Sequence, residues 1–318
     1  MNDIFPMALT SVLQIILLAG TAPLLAGIIW KTKARIQRRR GAGIFQPYFD
    51  LAKLLKKEVI IPATASWVFR WTPYLVFGST LVIALLVPAA SVPVPLNRAG
   101  DIITVIYLFA LGRFFVALVG LDAGSAFGGL GASREMSIAS IIEPAMMLAI
   151  FTAAVTAGST NLSFIVSSLS STPGAMIHPA HLLAFSGLFI VTMAETGRIP
   201  VDNPETHLEL TMILEAMILE YSGRYLALIE FSSQVKLAIF LALLSNMFFP
   251  AGIAASLEPL PLLAGCAAFF CKVTALAGVV AVVESTNAKL RLFRVPDLLM
   301  VAFILSLLSL ILYFIIGT

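Results

Sequence analysis

The chain has 318 residues, of which 59% are hydrophobic and 12% charged, and its mean hydropathy of +0.99 excludes a soluble globular domain. Long unbroken apolar runs exclude a β-barrel, and at ~20 apolar residues per spanning helix the length accommodates about eight spans. The net charge of +3 matters less than its placement: nine of the twenty Lys and Arg lie between Lys31 and Lys57. That run marks the inner side of a membrane and leaves nucleic acid a remote partner.

The expected architecture is all-α, a single integral membrane domain of eight spans. The first runs over about 7–30 with the amino terminus outside, because no basic residue precedes it and it is long enough to be retained rather than cleaved. The inner loop 31–66 follows. Within it, Tyr48, Leu51, Leu54 and Leu55 recur at helical spacing beside Lys53, Lys56 and Lys57, so 47–57 reads as a short amphipathic helix on the membrane surface. It serves either as a lipid anchor or also as part of a docking face.

Further spans are expected over about 67–92, 101–121, 133–157, 180–199, 234–255, 259–283 and 298–316. The remaining inner loops are 122–132, 200–233 and 284–297, and the carboxy terminus lies outside. The three outer loops hold only Arg98 among basic residues, which agrees with this topology. Arg113 falls inside the third span, where a lone arginine is paired either for structure or for ion passage. The Gly-rich loop 122–132 fits no phosphate-binding fingerprint, because no strand precedes it, and its glycines suit tight turns and close helix approach. His178 and His181 lie in or beside the outer loop 158–179, where a solvated role is expected. Cys266 and Cys271, five apart in an apolar helix, fit no metal set and read as packing residues. Lys236 and Lys272 are further cations inside spans.

The most informative stretch is Glu195 to Arg224, which holds six carboxylates: Glu195, Asp202, Glu205, Glu209, Glu215 and Glu220. An ionised side chain near a helix centre in hydrocarbon costs roughly 2.5–3.5 kcal/mol even on lenient insertion scales. The fifth span carries Glu195 at its inner end and stops at Pro200. Asn203 then reads as an N-cap, with Pro204 and Glu205 in the first turn of a helix running to Tyr221. At 100° per residue, Glu205, Glu209 and Glu220 fall within about 60° of one another, Glu215 lies roughly 80° aside and His207 faces away.

Desolvated neighbouring carboxylates can hold and hand on protons near neutral pH. Together with Glu143 of the fourth span, these acids form a candidate proton relay, with Arg134, Arg198, Arg224 and Lys236 as charge partners. An acidic loop that docks a basic partner is the competing reading, which Glu143 and Glu195 resist because they belong to spans. No HExxH helix, GxSxG elbow or Walker loop is present, and no catalytic residue or metal site is expected.

The segment ETGRIPVDNPE followed by LEYSG resembles the complex I membrane subunit known as NADH dehydrogenase subunit 1 or H. Glu195, Arg198, Pro200, Asp202, Pro204, Glu205, Glu209, Glu220, Tyr221, Ser222 and Gly223 match that family's pattern. So do Gln37, Arg39 and Gly41 of the basic loop, Gln46, Asp50, Lys53, Leu54, Lys57 and Glu58 around the surface helix, and Arg134 with Glu143. The departures are GAG for GPN, PVD for PFD, His207 for a glutamate, and three extra residues between Glu209 and Glu220. GLDAGSAFGGLGASRE and AKLRLFRVP are instead similar to the homologous subunit of energy-converting nickel–iron hydrogenases of the formate hydrogenlyase type.

The resemblance implies a non-redox subunit of an oxidoreductase complex in a prokaryotic inner membrane. It would lie beneath hydrogenase large and small subunits and a ferredoxin-like iron–sulfur subunit, beside antiporter-like membrane subunits and lipid. Nickel–iron and iron–sulfur centres would sit in those partners and none in this chain. Arg35, Arg39, Arg40, Asp50, Lys53 and Lys57 would face the soluble arm. A quinone or lipid cavity near the first and sixth spans is compatible with the family. The alternatives are a quinone-site subunit of a complex I relative and an independent cation/proton antiporter, although no inverted pair of broken helices is visible.

Overall fold

The computed structural model describes residues 4–93, 96, 99–171, 178–202 and 212–316. Among the described residues eleven α-helices follow one another: α1 (Ile4–Ile36), α2 (Gln46–Lys56), α3 (Trp67–Leu86), α4 (Ile102–Asp122), α5 (Ala126–Ala157), α6 (Leu162–Ser171), α7 (Pro179–Glu195), α8 (Leu214–Ile218), α9 (Gly223–Phe248), α10 (Pro259–Thr286) and α11 (Val295–Ile316). Among the described residues seven helices are long and apolar enough to cross a membrane, and α6 and α7 are shorter apolar helices. The chain is a multi-pass, all-helical membrane protein.

Local chemistry sets the helix ends. The side chains of Ser66, Asp101 and Ser125 accept bonds from the amides of Val68, Ile103 and Gly128, capping α3, α4 and α5. Proline occupies the first turn of α2, α7 and α10, where its missing donor removes no helical bond. α5 ends at Gly158 with φ +71, a left-handed conformation that spares a Cβ clash only in glycine.

Helix α9 is the centre of the bundle. From Leu237 to Phe248 every residue is buried, so this half is apolar all round, as a helix enclosed by others must be. It packs against α1, α2, α3, α7 and α10, while α11 packs on α5 and α7.

Several expectations require correction. The Gly-rich stretch 122–132 is a loop only to Ser125 and is helical from Ala126. Its glycines do permit close approach: a Cβ at Gly128 would meet the carbonyl of Gly120, and one at Gly131 would lie 2.9 Å from the Ala216 Cβ. Absent side chains let α4, α5 and α8 converge, which outweighs glycine's low helix propensity.

The long helix expected over 204–221 does not form. Met212 and Ile213 are non-helical and α8 has five residues; Asn203, Pro204, Glu205, His207 and Glu209 lie outside the described residues. α9 begins at Gly223, before the expected span start, because Ser222 and Gly223 tie down its entry. α6 occupies part of the expected outer loop, and the second span stops at Leu86.

His181 is buried, not solvated; its ring stands edge-on to Phe248 at 5.8 Å. Cys266 is half-buried, whereas Cys271 is exposed and does not pack in the core.

The LEYSG segment has a packing explanation. Ser222 Oγ accepts from the Ile60 amide at 2.8 Å and donates to the Ile60 carbonyl at 3.3 Å. Tyr221 donates to the Phe69 carbonyl at 2.8 Å and stacks on the Phe69 ring at 4.1 Å; burial raises its phenol above the ordinary value. Gly223 has φ +53, and a Cβ there would meet the Glu58 carbonyl. These residues fix the linker between α2 and α3 onto the start of α9.

Candidate functional site: a buried charge junction

Arg113 lies about midway along α4, where a buried guanidinium needs partners within the protein. Three carboxylates from two helices meet it. Nη1 donates to Glu143 Oε1 at 2.6 Å, Nη2 donates to Glu195 Oε1, and Nε stands 3.4 Å from Glu135 Oε1. The planar fork allows one arginine to engage separate acceptors, which a lysine ammonium would do without fixed directions. The Arg113 side chain is 5% exposed and that of Glu195 1%, so these are interior ion pairs rather than surface ones.

Glu195 is the last residue of α7, where a carboxylate meets the negative end of the helix dipole. A second cation compensates: Lys236 of α9 stands 2.5 Å from Glu195 Oε2 and 5.8 Å from the centre of the Phe109 ring. Because Arg113 precedes the end of α4 by nine residues, α7 stops inside the bundle. The chain beyond it continues with Ile199, Val201 and Asp202 buried. Irregular backbone at such depth is tolerated where protein or a cavity surrounds it.

A cavity of about 70 Å³ adjoins the junction, enough room for a few waters. Arg113, Glu135, Glu195 and Lys236 line one side, apolar residues including Leu108, Phe109 and Met217 line others, and Ser79, Thr80, Ser232 and Ser233 supply hydroxyls. Arg113 Nε and Glu195 Oε2 are buried without an aligned hydrogen bond, although Glu135 stands 3.4 Å from the first and Lys236 2.5 Å from the second.

A second junction lies toward the basic end of the bundle. Arg198 donates to Glu284 Oε1 at 2.7 Å, and Lys33 stands 3.5 Å from Glu284 Oε2. Asp202 accepts from Lys289 at 2.7 Å and from the Ile213 amide at 3.1 Å. Thus α1, the segment after α7, α10 and the α10–α11 connection are tied together.

The expected site residues divide accordingly. Glu143 and Glu195 come together on Arg113, and Lys236 joins them through Glu195. Asp202 is buried but belongs to the second group, Glu215 is half-buried, and Glu220 and Arg224 are exposed. Arg198 pairs with Glu284 instead of the relay acids, and Arg134 donates to the Met212 carbonyl at 3.0 Å rather than to an acid; both act as tethers. Glu205 and Glu209 lie outside the described residues. Arg35, Arg39, Arg40, Lys53 and Lys57 are exposed, and half-buried Asp50 accepts from Gln46 at 2.9 Å. Among the described residues no three His, Cys, Asp or Glu form a metal-binding group.

Sequence reasoning missed Glu135 and Glu284. Glu135 falls at the very start of the expected span 133–157, where an acid reads as solvated; because α5 starts at Ala126, it lies well inside the helix, about two turns from Glu143. Glu284 near the end of an apolar helix carries the signal of any intramembrane acid.

The fold and junction define a polytopic membrane protein with a charged cluster in its interior. The match to the NADH dehydrogenase family model covers residues 9–314, and the chain belongs to the complex I membrane subunit 1/H family. It is 37% identical to formate hydrogenlyase subunit 4 of Escherichia coli (strain K12), over 89% of this chain and 91% of that one. Hydrogenase-4 component C of the same organism is 34% identical, covering 93% and 92%. The family's NADH-quinone oxidoreductase member from Syntrophotalea carbinolica is 31% identical, covering 92% and 91%. A chain from the membrane-bound sulfane sulfur reductase, an archaeal respiratory membrane complex, superposes with a TM-score of 0.82 over 95% of this chain and 99% of that one. At 23% identity that likeness establishes the fold.

Proposed function

We propose that this chain is the membrane-anchoring and proton-coupling subunit of a multi-subunit, energy-converting nickel–iron hydrogenase of the formate hydrogenlyase type. The observation that carries the coupling role is the meeting of Glu143 and Glu195 on Arg113 beside a cavity. Two acids on one fixed cation, with room for water, can pass a proton between helices without charge entering hydrocarbon unaccompanied. Glu143, whose side chain is 38% exposed, is the member that opens out of the bundle and is placed to exchange protons with a neighbouring membrane subunit. In this reading Glu215 and Glu220 belong to the inner approach to Glu195, to which the sequence also assigns Glu205 and Glu209, while Asp202, held by Lys289, stays with the second junction.

In this reading the basic end faces the cytoplasm of a prokaryotic cell, both termini lie outside, and the exposed cations of 35–57 dock the soluble arm. The hydrogenase large and small subunits and an iron–sulfur subunit hold the redox centres, and antiporter-like subunits lie alongside. The two relatives with 37% and 34% identity, both named for hydrogenase assemblies, support this branch over the quinone branch. Purification of the tagged chain from gently solubilised native membranes tests it. Stoichiometric nickel and hydrogen-evolving activity are expected to co-purify; a nickel-free complex carrying NADH-oxidising activity contradicts the assignment.

A further inference from the structure

We propose that Lys236 is the gate of this junction, leaving Glu195 Oε2 to admit a proton and returning to close it. The inference rests on the relay reading and specifies what controls it. Glu195 has two oxygens. Oε1 is engaged by Arg113, so a proton arriving from the cavity must bind Oε2, and Lys236 stands against that atom.

Of the two cations only Lys236 is free to move. Arg113 is held by carboxylates on α5 and α7, and its rigid fork fixes their directions. Lys236 carries a point charge on a four-carbon stem, its side chain is 19% exposed against 5% for Arg113, and its contact with Oε2 is close but poorly aligned.

A receiving site exists in the same cavity. Ser79 and Thr80 donate to the Val76 carbonyl, and Ser232 donates to the Leu228 carbonyl. Each hydroxyl proton is thus committed to its own helix, leaving lone pairs as acceptors for an ammonium that has three donors and no acceptor. The Phe109 ring beside the present position adds a weak cation–π attraction along the way.

The step balances simply. The ammonium withdraws toward the hydroxyls with its own protons retained. A proton carried by cavity water forms an O–H bond at Glu195 Oε2, and Arg113 keeps Oε1. Loss of that proton toward Glu143 restores the carboxylate and draws Lys236 back. Arg113 and Glu135 are the other charged groups lining the space.

The test compares Lys236→Met, Lys236→Arg and Glu195→Gln in the assembled complex, using inside-out membrane vesicles. Three quantities are read: redox-driven proton uptake, decay of an imposed pH gradient without electron donor, and the carboxylic C=O stretch in infrared spectra. Glu195→Gln is expected to abolish driven uptake. Lys236→Met leaves Oε2 permanently open, so the imposed gradient decays severalfold faster and a protonated-carboxyl band is present at rest. Lys236→Arg holds the charge on a rigid fork, giving tight vesicles, no such band and loss of driven uptake. Lys236→Gln is read as Lys236→Met if the latter does not assemble.

Tight vesicles with normal uptake in Lys236→Met, where Glu195→Gln has lost uptake, overturn the gate and leave the relay standing. Reduced assembly with tight vesicles assigns Lys236 a packing role and also overturns the gate. Normal uptake in Glu195→Gln overturns the relay itself, and the gate with it.

Discussion

The two buried charge junctions are built around centres of opposite charge. At Arg113 one cation gathers three carboxylates, with Lys236 attached to one of them; at Glu284 one carboxylate gathers two cations, Lys33 and Arg198. The first adjoins a cavity and retains atoms without aligned bonds. The second joins α1, the chain after α7 and α10. Buried ion pairs are weak evidence for stability, because desolvation offsets much of their attraction. What separates the two is the adjoining cavity, and the proposed relay accordingly places transport at the first and cohesion at the second.

The largest effect should follow from removing the shared cation. Arg113→Met leaves Glu135, Glu143 and Glu195 without it, and breaking such a buried pair costs about 3–5 kcal/mol. Loss of assembled complex on native gels is expected. Arg113→Lys should recover assembly in part without recovering translocation, because one ammonium cannot reproduce the directions of the fork.

A smaller effect is expected at the second junction. Glu284→Gln keeps the shape but removes the charge that Arg198 and Lys33 share, lowering stability by about 1.5–3 kcal/mol, the worth of hydrogen bonds to charged groups. Thermal unfolding in detergent should shift downward while the ratio of protons moved to redox turnovers holds. A changed ratio would erase the distinction between the junctions. The smallest effect belongs to Ser222→Ala, which removes the side-chain bonds to Ile60 at about 1 kcal/mol. It should hasten protease cleavage of the linker between α2 and α3, and unchanged cleavage would show that Tyr221 and Gly223 hold it alone.

Much of this architecture was readable in the chain. Apolar run length pointed to an all-helical, multi-pass membrane protein, and that class holds. Glu143 and Glu195 stood out because a carboxylate inside a span has no bland explanation. The pairing was not readable, because Arg113 meets Glu195 across 82 positions and Arg198 meets Glu284 across 86, and no periodicity encodes such contacts. Lys33 sits in a run that reads as surface charge, yet its side chain is 9% exposed against Glu284. The Gly-rich stretch misled for a related reason: glycine weakens a helix locally, while the close packing of α4, α5 and α8 requires it there.

The most direct test is the number of protons moved per redox turnover in matched Glu195→Gln and Glu284→Gln complexes of equal subunit composition. The account predicts that the first moves none while its soluble arm still turns over, and that the second keeps the wild-type ratio. Proton movement that survives in Glu195→Gln would contradict it.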